Sequence, residues 1–323
     1  MPKASLCDKY KLNLRIALKK ILVIYYTQTG QARLALDAVL KPFTGNAEYS
    51  VHYELIKPKQ QLPYPWKYSE FFDVFPENVH AVPFELEPLT VDPNENFDLV
   101  VIGYQPWFLS ICRPVNSFLV SDAAKKLLKD KPVITVINCR NMWLGAQEKM
   151  KQRLSDLNAK LVGNIVFADR SSNLTSLVTV LAFELKGVRE NYMGIFPRYG
   201  VSDKDLEAAP ELGQLIATAI RQNNFDKLQE LIVAKDFVTV KPNLLLMEGR
   251  GRALFPLYAN YVSKKGTAKS EERRGRVRTF GIVLPTAILI LSPIITIVSR
   301  LAPLIAYRKM KKQIQYYQQN SFK

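Results

Sequence analysis

The stretch ILVIYYTQTGQAR, residues 21–33, constrains the fold more than any other part of the chain. Six consecutive apolar or aromatic residues suit a strand buried on both faces. The hydroxyl-rich turn and the spacing of the residues that follow suit the start of a helix. Comparable β-rich runs recur at 49–56, 97–103, 132–138 and 161–167, with helical patterns at 31–40, 116–128 and 144–158 between them. Strands alternating with crossover helices predict an α/β fold, a doubly wound five-stranded parallel sheet of order 2-1-3-4-5. Its ligand crevice would lie beyond the carboxyl ends of strands one, three and four.

In that position the turn Thr27, Gln28, Thr29, Gly30, Gln31 leads into a helix N-terminus, where free N–H groups and the helix dipole favour an anion. Two hydroxyls can donate, and Gly30 permits close backbone approach. Neither the G-x-G-x-x-G of a dinucleotide turn nor the G-x-x-x-x-G-K-[ST] of a nucleoside triphosphate turn is present. The turn therefore suits one terminal phosphate, or else is an ordinary polar cap.

The remaining segments divide as an N-terminal extension (1–19), the sheet domain (20–200), a helical extension (201–260) and a basic, apolar tail (261–323). A Pro- and aromatic-rich insert at 58–93 follows the second strand. It contains one helical piece, 68–75, ended by Pro76, and reads as a lid or substrate wall, or as a cap on the core. After the fifth strand a capped apolar helix is expected at 174–186, closed by Gly187, with two or three more helices between 202 and 234. Cys7, Cys112 and Cys139 fit neither a disulfide framework nor a zinc pattern, and no metal site is expected.

The net charge of +16 resides mostly in the tail, where 13 Lys/Arg face 2 Glu, leaving +5 for the first 260 residues. Nucleic acid is therefore not an expected partner. In the tail, residues 281–299 carry no charge and would form a helix about 28 Å long. Basic clusters flank them on both sides, which suits anionic lipid headgroups. The expected arrangement is a re-entrant or interfacial hairpin bent at Pro293, with a single span or a buried soluble segment as alternatives and Arg300 snorkelling in either membrane arrangement. No secretory signal can be drawn in the first 19 residues, so the expected location is a cytoplasmic domain attached to the inner membrane.

The turn resembles that of the flavodoxin-like family, in which T-x-T-G holds the phosphate of FMN. That resemblance implies flavin contacts from the loops after strands three and four. Here these loops supply Tyr104, Gln105, Pro106 and Trp107, and Asn138, Arg140, Asn141 and Trp143. Gln31 and Ala32 depart from the family's Asn and Thr. Arg33 either compensates near the phosphate or points to solvent.

The strings VIYYTQTGQ, PYPWKYSEFFDVFPENV, DLVVIGYQPWFLS and FPRYGVS, with the apolar tail, further resemble the flavodoxin-like proteins of bacterial dialkylresorcinol and flexirubin-type pigment clusters, labelled dialkylresorcinol condensing enzyme (DarA-type). This implies oxidation of a lipid-like 2,5-dialkylcyclohexane-1,3-dione to a dialkylresorcinol, beside a partner ketosynthase that performs the condensation. In that chemistry Tyr104 and Gln105 would donate to the enolate oxygen, Trp107 and Trp143 would wall the slot, and His80 or Asp169 would be the base. An NAD(P)H:quinone reductase and a flavin-free scaffold are the competing readings.

Overall fold

The computed structural model describes residues 18–322, without the side chains of residues 300–306. Most of the expected extension at 1–19, including Cys7, and the side chain of Arg300 lie outside the described residues. Strands β1 (Lys19–Tyr25), β2 (Tyr49–Leu55), β3 (Leu99–Tyr104), β4 (Pro132–Cys139) and β5 (Lys160–Ala168) form one sheet of order β2-β1-β3-β4-β5. All pairs are parallel; Ile21 stands opposite Val51 on one side and Leu99 on the other. The contiguous branched runs follow from this arrangement, because a strand covered by helices on both faces has no solvent side to make polar. Every residue of β3 is buried.

The crossovers carry α1 (Gln31–Leu40), α2 (Tyr68–Asp73), α3 (Phe75–Val79), α4 (Arg113–Leu119), α5 (Asp122–Leu128) and α6 (Leu144–Asp156). Two expected single helices are broken. Pro76 does not end the insert helix. It stands in the first turn of α3, where its missing N–H has no partner to lose. The helix expected at 116–128 starts three residues earlier and is interrupted at Val120, after which the Ser121 hydroxyl accepts from the Ala124 N–H and opens α5.

Beyond β5 lie α7 (Asn173–Lys186), α8 (Asp203–Gln222), α9 (Leu228–Ala234), α10 (Pro242–Ser263) and α11 (Glu271–Gln318). The α7 boundaries follow the sequence expectation, with Ser172 capping its start and Gly187 in the left-handed conformation at its end. It is α8, however, that packs on α1 and completes that face of the sandwich. Its buried stripe includes Leu212, Ile216 and Ile220, and its Ala217 carbonyl accepts from the Tyr49 hydroxyl at 3.4 Å. The sandwich therefore extends past the boundary expected at 200, which frees α7 to cover the crevice.

Helix α10 is tied to the sheet domain by Glu248, whose buried Oε1 accepts from the Gly145 N–H at 2.5 Å, capping α6. Its other oxygen has no partner among the described residues. Burial outweighs the helix-start N–H groups and pushes this carboxyl up to about 7. Between about pH 4.5 and 7 the folded chain thus holds a proton that the unfolded chain has released, so this group's contribution to stability falls as pH rises through that window. Glu248→Gln should match the parent below pH 5 and exceed it above pH 7, by up to about 3 kcal/mol. Urea unfolding at both pH values checks this; an equal difference at both would contradict it.

Helix α11 corrects the tail expectation. It runs 48 residues, about 72 Å, without interruption at Pro293, so there is no hairpin. Prolines remove donors, and the freed carbonyls need partners. The Gly281 carbonyl, orphaned by Pro285, accepts from the Tyr68 hydroxyl at 2.6 Å. Both ends are pinned to the same domain. Near the start, fully buried Arg273 binds Asp73 (2.8 Å) and Glu77 (2.6 Å). Near the end, Tyr316 donates to Glu148 (2.8 Å) and Gln229 donates to the Gln318 carbonyl (2.6 Å). A single span, which would place the two ends on opposite sides of a membrane, does not fit this geometry. The segment Glu271–Ser299 is nevertheless long and apolar enough to cross one, with a mean hydropathy of 2.4 and little of it buried.

Candidate active site

The crevice opens at the carboxyl ends of β1, β3 and β4, as a doubly wound sheet requires. Its floor begins at the turn after β1. Gly30 caps α1 with φ 81°, and α1 has neither a side-chain cap nor an acidic residue in its first turn, leaving its leading N–H groups for an anion. The Thr27 hydroxyl is buried without a partner among the described residues. Arg33 turns away, binding Asp37 at 2.8 Å and stacking 3.9 Å over Tyr53, so it is a surface cation and not a phosphate ligand.

The next wall comes from the segment after β3. Pro106–Ile111 forms a tight hairpin in which Phe108 and Leu109 both adopt positive φ (48° and 59°). Apolar side chains in this conformation store backbone strain. Packing of the Phe108 ring against Phe71 and Phe75, at 5.6 and 5.3 Å between centroids, offsets it. The hairpin presents Trp107 edge-on to Tyr26 and Trp66. Gln105 donates to the Tyr26 carbonyl at 2.9 Å, while its own Oε1 is buried and unpartnered among the described residues.

At the end of β4, Asn138 is buried with both amide atoms unpartnered among the described residues. A carboxamide offers one donor and one acceptor side by side, which matches a planar ring edge carrying adjacent C=O and N–H groups. Among the described residues Arg140, also on the crevice, donates to the neutral oxygens of Asn141 and Asn173. Burial lowers its guanidinium to about 10. Asp169 lies within electrostatic reach of this guanidinium but, among the described residues, neither pairs with it nor accepts its hydrogen bonds, and a desolvated cation so placed suits an anionic ligand. Buried polar groups without partners are costly, and Thr27, Gln105 and Asn138 bring three around one crevice. Together with the uncapped helix start, these residues fit the phosphate and the ring of FMN.

The roof comes from three segments that the sheet pattern alone does not define. The insert contributes Trp66, Phe71 and Phe72; α7 contributes Leu177, Val180 and Leu181; α11 contributes Leu284, Pro285 and Ile288. Trp66 is fixed by an indole N–H donation to Gln28 Oε1 at 3.3 Å. The loop after α7 folds back onto the turn at Gly200, which has φ 102° and where a Cβ would fall 1.8 Å from Gln31 Oε1. The Gln31 amide could swing aside, but the positive φ strains any residue with a Cβ and so favours glycine here.

Glu184 on α7 is a crevice residue that the sequence pattern does not single out. It lines the crevice, and among the described residues its carboxyl has neither a hydrogen-bond partner nor an ion pair. Desolvation pushes it up to about 7. Tyr199, raised by the same cause, also lines the crevice within electrostatic reach of Glu184 and Arg140, and is a neutral donor there. A carboxyl poised near neutrality in an apolar pocket is the environment of a general base. The available signal was one acid inside the apolar run LTSLVTVLAFELKG.

Of the expected site residues, Gln28, Thr29, Gln31, Gln105, Pro106, Trp107, Asn138 and Arg140 line the crevice, with Thr27 and Gly30 in its turn. Five expectations need correction. Tyr104 is fully buried and donates to Gln147 Oε1 at 2.7 Å, so its hydroxyl serves the core and not an enolate. Trp143 is buried at the start of α6 and walls no slot. Asn141 ties the β4 loop to α7 through Asn173 and Ser176, both at 3.1 Å, instead of facing the ring. His80 is exposed at the end of α3, outside the crevice. Asp169 faces a separate polar cavity with Arg170 and Asp205, and its Oδ1 accepts from the Ser171 N–H at 2.8 Å, a turn-forming role.

No family model matches the sequence, and neither does any curated protein. Solved structures with partial likeness include a flavoprotein in complex with FMN from Lactobacillus acidophilus NCFM, at 14% identity, covering 46% of this chain and 93% of that one with a TM-score of 0.38. Flavodoxin 1 from Bacillus cereus, in its oxidised form, is 11% identical over 61% of this chain and 95% of its own, with a TM-score of 0.33. An azoreductase from Bacillus anthracis str. Sterne is 14% identical over 61% and 99%, with a TM-score of 0.32.

Proposed function

We propose that this chain is an FMN-dependent oxidoreductase acting on a lipid-like cyclic 1,3-dione, a 2,5-dialkylcyclohexane-1,3-dione oxidised to a dialkylresorcinol in bacterial lipid or pigment synthesis. The observation that carries the reading is a lone carboxyl poised near neutrality, in an apolar crevice whose floor is shaped for a monophosphate. The reaction removes one hydride and one proton from the ring, after which enolisation completes the aromatic product. FMN, when bound, supplies the hydride acceptor. Glu184 takes the proton, Tyr199 and Arg140 hold the ring oxygens, and Trp66, Phe71 and Phe72 keep water from the reacting carbon. A partner ketosynthase would supply the dione, and the cytoplasmic face of the inner membrane would be the site of action.

The test is incubation of the purified chain with a dialkylated cyclohexanedione and an electron acceptor, with mass-spectrometric detection of the resorcinol. Formation of the resorcinol supports the reading; flavin-loaded protein that yields none rejects it. The apolar roof would also seat a quinone, so NAD(P)H:quinone reduction is the second reading, recognised by rapid bleaching of the flavin with NAD(P)H.

A further inference from the structure

Helix α11 has two apolar sides. One forms a stripe toward the domain, with Val277, Phe280 and Ile295 buried and Leu284, Pro285 and Ile288 reaching the crevice. The other side is bare: Ile282, Leu289, Ile290, Ile294 and Ile297 are each more than half exposed. Exposed aliphatic side chains in a continuous row on one helix require a covering partner. Neighbouring segments extend the apolar surface, with Leu254 and Leu257 on α10 and Ile195 in the loop that closes on the crevice at Gly200 all strongly exposed.

Charge identifies the partner. The bare row is bracketed by exposed cations, Lys264, Lys265, Arg274 and Arg278 before it and Arg308, Lys309, Lys311 and Lys312 after it. Because Arg273 and Tyr316 hold the two ends against one domain, both clusters stay on the domain's side of any surface the row enters. An apolar row with basic residues at each end on one side complements the boundary between acyl chains and anionic headgroups.

We infer that α11 lies in the plane of an anionic bilayer, its bare side among the acyl chains and its other side walling the crevice. The enzyme is then monotopic, and an apolar substrate passes from the lipid past Leu284 and Ile288 without crossing water. This deepens the membrane assignment above and stands whether or not the dione reaction is the right one, because it is read by binding and not by turnover.

The test uses the full chain in flotation with vesicles of phosphatidylcholine, with and without phosphatidylglycerol. Binding is expected to anionic vesicles, weakened by salt, and to fall at least tenfold for Ile290→Glu/Ile294→Glu while circular dichroism and the unfolding midpoint stay unchanged. Impermeant thiol labelling of Lys265→Cys and Gln319→Cys, located by mass spectrometry, should modify both positions from outside sealed vesicles. Protection of one of the two would establish a span and overturn the inference. So would unchanged flotation of the double variant, or a lipid-independent dimer in sedimentation that the double variant abolishes, which would make a second copy the cover.

Discussion

Replacing Glu184 with Gln should lower the oxidation rate by about 100- to 10,000-fold, the usual contribution of a positioned general base. Flavin content and KM for the dione should not change. Gln keeps the shape and volume at the crevice wall but cannot accept a ring proton. The pH profile separates this role from a merely structural one. With the carboxyl pushed up to about 7, the parent's rate should rise as pH passes through neutrality and the group ionises. The variant's residual rate should lack that limb. A variant with full activity and an unchanged profile would exclude Glu184 as the base.

Arg273→Ala should destabilise the fold by about 3–5 kcal/mol, since removing one member of a buried ion cluster leaves the others uncompensated. Arg273 has no exposed side chain and satisfies both Asp73 and Glu77, while the neighbouring Phe75 and Phe280 rings stack 3.7 Å apart. Losing it loosens the start of α11 and, with it, the roof of the crevice. Lys should rescue only partly, because a single ammonium cannot reproduce the forked contact. Arg274→Ala, one residue further and in an exposed pair, should change stability by less than about 0.5 kcal/mol. Urea unfolding measures all three; equal effects for Arg273 and Arg274 would contradict this account of the tail's attachment.

The parallel sheet was legible because its strands cannot alternate polar and apolar residues: the runs at Ile21 and Leu99 announce burial on both faces by composition alone. The turn at Thr27 was legible for a similar local reason, since strand, hydroxyls, glycine and helix start are contiguous. What failed depended on distant partners. Tyr104 and Trp143 sit in the loops where ring-packing aromatics were expected. Whether such a residue faces the crevice or the core is decided by contacts such as Tyr104 with Gln147, 43 residues away. Glu184 is not legible in the sequence, because an acid in an apolar helix gives no sign of what covers it until the insert's Trp66 and the Tyr199 loop are placed around it. In the tail Pro293 suggests a bend that α11 does not make. The contact of Arg273 with Asp73, across 200 residues, is invisible to local pattern.

Everything proposed for the crevice rests on one cofactor, so the most direct measurement is the pigment released from the purified full chain on denaturation, identified and quantified by mass spectrometry. The account predicts FMN at close to one per chain, and a marked loss with Thr27→Val, which keeps the side-chain shape and removes the buried hydroxyl. Protein that carries no flavin, and takes up none when incubated with excess FMN, would contradict it.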